Sequence, residues 1–127
     1  MIQNIHHIAI ICSDYDISKK FYVEVLGLTI INETYRLERD SYKLDLAINK
    51  TYCIELFSFP NPPKRISRPE ASGLRHLAFA VSNLEQSIDH LKNHQVVCEP
   101  IRIDNITGKR FTFFSDPDGL PLELYEG

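Results

Sequence analysis

Two stretches far apart in the chain alternate apolar and small residues in the same order: HHIAIIC near the start and RHLAFAV in the middle. Period-two alternation of this kind predicts a half-buried strand. In the first stretch Ile8, Ile10 and Cys12 share one face, and His7, Ala9 and Ile11 the other. In the second, Leu77, Phe79 and Val81 lie opposite His76, Ala78 and Ala80. Strand neighbours point to opposite faces, so His6 and His7 are expected in different environments, His6 closing the packing at the strand end. After each strand the period changes from two to about 3.6. Ile17, Phe21 and Val25 then mark one helix face, and Leu84, Ile88 and Leu91 mark another. Ser82 with Glu85 forms a capping box, Ser13 with Asp16 a weaker one, and Gly27 suits the end of the first helix.

Further strands are expected at 29–35, 42–49 and 52–59 in the first half, and at 97–103, 110–115 and 121–125 in the second. SDPDGLP reads as the hairpin turn between the last two. The plan is βαβββ written twice, with His7 and His76 at matching positions 69 residues apart. Residues 1–59 and 74–127 form the two modules. The proline-rich segment 60–73 links them, all within one domain over 1–127. The expected fold class is α+β: two tandem βαβββ modules forming a curved mixed β-sheet cup with helices outside.

The repeat also places carboxylates. Glu55 follows His7 by 48 residues and Glu123 follows His76 by 47, each inside an aliphatic strand. Alternation sets Glu55 with Cys53 and Phe57, and Glu123 with Pro121 and Tyr125, away from the helix-packing faces. If the sheets curl together, two imidazoles and two carboxylates converge. Burying such a set costs several kcal/mol without a cation. A divalent ion removes that cost, and mixed nitrogen and oxygen donors suit zinc or nickel, then manganese, cobalt or iron.

Composition narrows the field. A formal charge of −3 carries no basic excess, which speaks against nucleic acid. No apolar run reaches the ~20 residues of a membrane span, and the start does not read as a signal peptide. Three cysteines without C-x-x-C spacing fit a reducing cytoplasm rather than a disulfide framework. Arg110 and Phe57 are candidate substrate contacts. Lys64, Arg65 and Arg68 offer anion-binding groups from the linker. RLERDSYKLD reads as a solvated strand face, and His90 and His94 as surface residues.

The stretches FYVEVLGL, GLRHLAFAV and FFSDPDGLPLEL resemble the vicinal oxygen chelate superfamily. Its members include glyoxalase I, fosfomycin-resistance transferases, bleomycin-resistance proteins and extradiol dioxygenases. The resemblance runs over nearly the whole chain and is strongest to small bacterial glyoxalase-like proteins. It implies metal ligands at His7, Glu55, His76 and Glu123. It also implies a lyase or isomerase that chelates adjacent oxygens of a small substrate while Glu123, with Glu55 as ligand or second base, moves a proton. A homodimer is implied as well. The chain departs from bacterial glyoxalase I at Ile11, where that enzyme has an arginine for the glutathione carboxylate, so metal chemistry carries over further than the thiol. Two alternatives share the resemblance: a fosfomycin-type thiol transferase, and a drug-binding module of the bleomycin-resistance type. The ligand set and the absence of tryptophan count against the second.

Overall fold

The computed structural model describes residues 1–127 and divides into two compact units, Met1–Lys64 and Arg65–Gly127. The first contains β1 (Ile8–Cys12), α1 (Tyr15–Lys20), β2 (Thr29–Arg36), β3 (Ser41–Ile48) and β4 (Thr51–Ser58). The second contains β5 (Leu77–Val81), α2 (Leu84–Asn93), β6 (Arg102–Ile103), β7 (Arg110–Ser115) and β8 (Pro121–Glu126). Each unit forms a four-stranded mixed sheet, in the order β1-β4-β3-β2 and β5-β8-β7-β6. The first strand pairs parallel with the last, and the others pair antiparallel. The βαβββ plan therefore holds in both units.

One face of each sheet carries the core. Leu44, Leu46, Ile54 and Leu56 in the first unit, and Leu122 and Leu124 in the second, are buried with the helix residues Phe21, Tyr22, Leu84 and Leu91. Each such aliphatic side chain stabilises the fold by about 1.5–3 kcal/mol when fully buried. The opposite faces hold the small residues Ala9, Ala78 and Ala80, all exposed.

Both helices start one residue later than expected. Asp14 Oδ1 accepts the amide of Ile17 at 3.1 Å, and Asn83 Oδ1 accepts that of Gln86 at 2.9 Å. Asp and Asn are among the strongest N-caps, so they displace Ser13 and Ser82 from that role. The first helix also changes gauge. Phe21–Val25 is a π-helical turn closed by Leu26 N–H to Phe21 O at 3.0 Å. The wider turn rotates the buried face, so Phe21, Tyr22 and Val25 are buried while Ile17 is 56% exposed. Gly27 ends the turn at φ 78°, as its position suggested.

The strand expected over 97–103 pairs only at Arg102–Ile103. Pro100 has no amide to donate, so the ladder is broken there. Glu99 is instead tied to β7 by its amide to Phe113 O at 2.8 Å and by Thr112 Oγ1 to Glu99 O at 2.6 Å.

The turn between β7 and β8 is held by one carboxylate. Asp116 Oδ1 accepts the amides of Asp118 at 2.9 Å and Leu120 at 3.0 Å, and Gly119 supplies φ 82°. Asp116→Ala removes the one acceptor of both amides and is expected to cost about 1–3 kcal/mol. Equilibrium urea unfolding of the variant against the native chain measures this, with the midpoint falling and the slope unchanged.

Candidate functional site

In the first unit β1 begins at Ile8, so neither His6 nor His7 is held to strand alternation. This corrects the expectation that the two rings diverge. They meet edge to face with centroids 5.1 Å apart, and their Nδ1 atoms lie 2.8 Å apart. One Nδ1 must donate and the other accept, so the two rings fix each other's tautomers. Both also pack on Tyr52, at 5.3 and 5.8 Å between centroids.

His7 Nε2 faces Glu55 Oε2 at 3.4 Å. β4 places Glu55 between Ala9 of β1 and Asp45 of β3. The residue is only 9% exposed although it lies on the face away from the helix. Its Oε2 accepts a short hydrogen bond from the Tyr52 hydroxyl, which also lies 3.2 Å from Asp45. Lys43 Nζ stands 2.9 Å from Asp45 and 3.7 Å from Glu55 Oε2. Burial and then the Glu55 hydrogen bond push the Tyr52 phenol well above its ordinary range. The Lys43 ammonium is pushed up by its hydrogen bond to Asp45.

The position of Tyr52 has a backbone cause. Strict alternation puts residues 52 and 55 on opposite faces of a strand. Here Ala47 pairs with Tyr52 while Leu46 pairs with Ile54, so one extra residue, Cys53, bulges from β4. The bulge turns Tyr52 towards Glu55. Sequence reading missed Tyr52 for that reason. It also assigned Lys43 and Asp45 to solvent, although their own alternation on β3 was available as a signal.

The second unit repeats the pair more simply. His76 Nε2 lies 3.0 Å from Glu123 Oε2. β8 sets Glu123 between Ala78 and Phe113, and Glu123 is 8% exposed. The Phe113 ring meets the imidazole of His76 edge to face at 5.1 Å. Three groups thus converge on Oε2 of Glu55, and His76 alone pairs with Oε2 of Glu123. Within neither unit do three or more His, Cys, Asp or Glu side chains gather into a metal cage.

Phe57 lies on the Glu55 face, stacked on Phe59 at 6.0 Å with the Arg36 guanidinium 4.9 Å from its ring centre. Arg110, the other expected substrate contact, is placed elsewhere. Its backbone amide donates to the Glu126 carboxylate, and alternation along β7 sets it on the face of Thr112 and Phe114, opposite that of Phe113 and Glu123. Its guanidinium is taken up by Glu126 at 2.7 Å and Glu85 at 2.5 Å. Two carboxylates satisfying one cation leave it as a clamp between α2 and the sheet, and not as a ligand for substrate. None of the three cysteines forms a disulfide, and burial pushes the thiols of Cys53 and Cys98 upwards.

The clamp has a pH signature. The Arg110 hydrogen bonds hold the Glu126 and Glu85 carboxyls below their ordinary range. A depressed folded-state value contributes stability above the unfolded value, about 4.3 for Glu, and loses it as pH falls through the folded value. Glu126→Gln is therefore expected to lower the melting temperature at pH 7. The difference from the native chain should close below about pH 4, as thermal melts across that range would read.

The profile of the Glyoxalase/Bleomycin resistance protein/Dioxygenase superfamily matches residues 4–124. The chain is 64% identical over 126 residues to "Uncharacterized protein YwkD" of Bacillus subtilis, covering 99% of this chain and 98% of that one. It is 33% identical to "Metallothiol transferase FosB" of Staphylococcus epidermidis, covering 99% of this chain and 83% of the other. The crystal structure of a glyoxalase family protein from Enterococcus faecalis superposes with a TM-score of 0.90 at 48% identity, over 98% of each chain.

Proposed function

The chain belongs to the Glyoxalase/Bleomycin resistance protein/Dioxygenase superfamily, and from that premise we propose that it is a metal-dependent lyase or isomerase of glyoxalase type. The observation that carries the reading is the recurrence, in both units, of an imidazole Nε2 facing a nearly buried carboxylate on the sheet face away from the helix. Each unit offers one such pair, His7 with Glu55 and His76 with Glu123, as ligands for a divalent ion. Their chemistry fits such an ion. Each imidazole presents Nε2, and each carboxylate lies beside alanines that leave room. When bound, the ion acts as a Lewis acid on adjacent substrate oxygens.

The chain's own groups divide the remaining work. Tyr52 and Lys43 fix the Oε2 edge of Glu55, which suits a carboxylate that holds its place. Glu123 has His76 as its single ion-pair partner and is the residue that moves the proton between substrate carbons. His6 orients His7 through the Nδ1 contact, leaving Nε2 of His7 aimed at the Glu55 side. Phe57 offers an apolar wall on the same face.

A second reading draws on the likeness to FosB: a metal-dependent transfer of a thiol to an epoxide. The two readings differ in reaction and not in ligands. Assays of the nickel- and zinc-loaded protein on hemithioacetals, and on fosfomycin with added thiols, separate them. Isomerisation without thiol transfer is the expected result.

The ligand assignment is tested by metal titration calorimetry. His7→Ala and His76→Ala are expected to abolish binding of Ni²⁺ and Zn²⁺. His6→Ala is expected to weaken it by roughly tenfold, as removal of an outer partner of a ligand does. Unchanged affinity in His7→Ala or His76→Ala contradicts the assignment.

A further inference from the structure

The segment 65–71, expected to be part of a linker, is built into the second unit as the wall of a cavity of about 440 Å³. Arg65 fastens it. One guanidinium nitrogen donates to Leu74 O at 2.6 Å and Arg75 O at 3.2 Å, and Nε donates to Ser67 Oγ at 3.0 Å. Ser67 Oγ in turn donates to Gly119 O at 3.0 Å, in the turn that Asp116 organises. The wall is therefore fixed just ahead of two parallel strands, β5, which follows His76, and β8, which carries Glu123.

The cavity is cationic in a chain whose formal charge is −3. Arg65, Arg68, Arg75 and Arg102 line it, against two carboxylates, Glu70 and Glu99. Glu70 is shared, bound closely by Arg75 and 3.8 Å from Arg68. Arg102 has only a 3.4 Å contact to Glu99. Each guanidinium has five donors, so Arg68 and Arg102 keep most of theirs unspent. Arg102 is nevertheless held in position, 5.2 Å from the ring centres of both Phe111 and Phe113. Phe113 is the ring that meets His76, and His76 itself lines the cavity. One aromatic ring thus separates a poised guanidinium from the imidazole of the His76–Glu123 pair.

We propose that this cavity binds the anionic arm of the substrate, a carboxylate or phosphate group, with Arg102 and Arg68 as its ligands and Phe113 as the spacer. The substrate class is then a small molecule with adjacent oxygens at one end and an oxyanion one ring-width away. Guanidinium groups match both oxyanions through paired N–H donors. The inference rests on the metal reading for the placement of the adjacent oxygens, but not for the oxyanion site itself.

The test is a titration of chelator-treated protein with inorganic phosphate and, separately, with acetate, following the His76 ring and arginine Nε–H resonances by NMR. Saturable shifts of both are expected with at least one anion, and the tighter one names the group. Arg102→Met and Arg68→Gln are each expected to weaken binding by about tenfold, the scale of a charge-assisted hydrogen bond. Lys109→Gln, outside the cavity, is expected to leave it unchanged. The absence of saturable shifts, or affinity unchanged from the native chain in Arg102→Met and Arg68→Gln, overturns the proposal. Ni²⁺ affinity measured on the same variants keeps the two readings apart. Metal binding that survives His76→Ala, with anion binding lost in Arg102→Met, removes the metal assignment and leaves the oxyanion site standing.

Discussion

A carboxylate buried on the wrong face of a strand is the constraint around which both units are arranged. Glu55 and Glu123 belong to aliphatic strands, yet each points away from the helix that covers the core. A nearly buried carboxylate costs several kcal/mol unless a partner offsets the loss of water. In each unit an imidazole Nε2 contributes to that offset, delivered by the residue just before the neighbouring parallel strand, and in the first unit the Tyr52 hydroxyl lies closer still. The parallel pairing of first and last strands makes that meeting recur. Ala9 and Ala78 sit directly beside the two glutamates and keep the space open.

The two copies have diverged in what surrounds the pair. The first is polar and crowded, with Tyr52, Lys43 and Asp45 on one side of Glu55 and the His6 ring on the other side of His7. The second is aromatic and sparse, with Phe113 against His76 and an arginine-lined cavity beyond it. A crowded carboxylate is suited to holding, and a sparse one to accepting and returning a proton. The asymmetry gives the proposed roles of Glu55 and Glu123 a physical basis that their matched sequence contexts do not.

Much of this was legible in the chain. Period-two alternation separated Glu55 and Glu123 from the aliphatic core face, and the repeat matched His7 with His76, although both imidazoles precede the strands themselves. What escaped lay in features that alternation does not encode. A bulge at Cys53 turns Tyr52 through one face. A strand starting at Ile8 frees His6 to meet His7. A π-helical turn exposes Ile17. Arg110 was misjudged because a cation's role depends on the carboxylates opposite it, and Glu126 faces it only in the register of β7 with β8. The linker was read from its prolines, whereas Arg65 and Ser67 attach it to the second unit through backbone carbonyls that no sequence motif announces.

The central claim is that the recurring His–Glu pair is a set of ligands for a divalent ion. Metal content per chain, measured by native mass spectrometry and elemental analysis after loading with Ni²⁺, tests it most directly. The account predicts bound Ni²⁺ that Glu55→Gln and Glu123→Gln each reduce. Protein that takes up no Ni²⁺, or the same amount after either substitution, would contradict it.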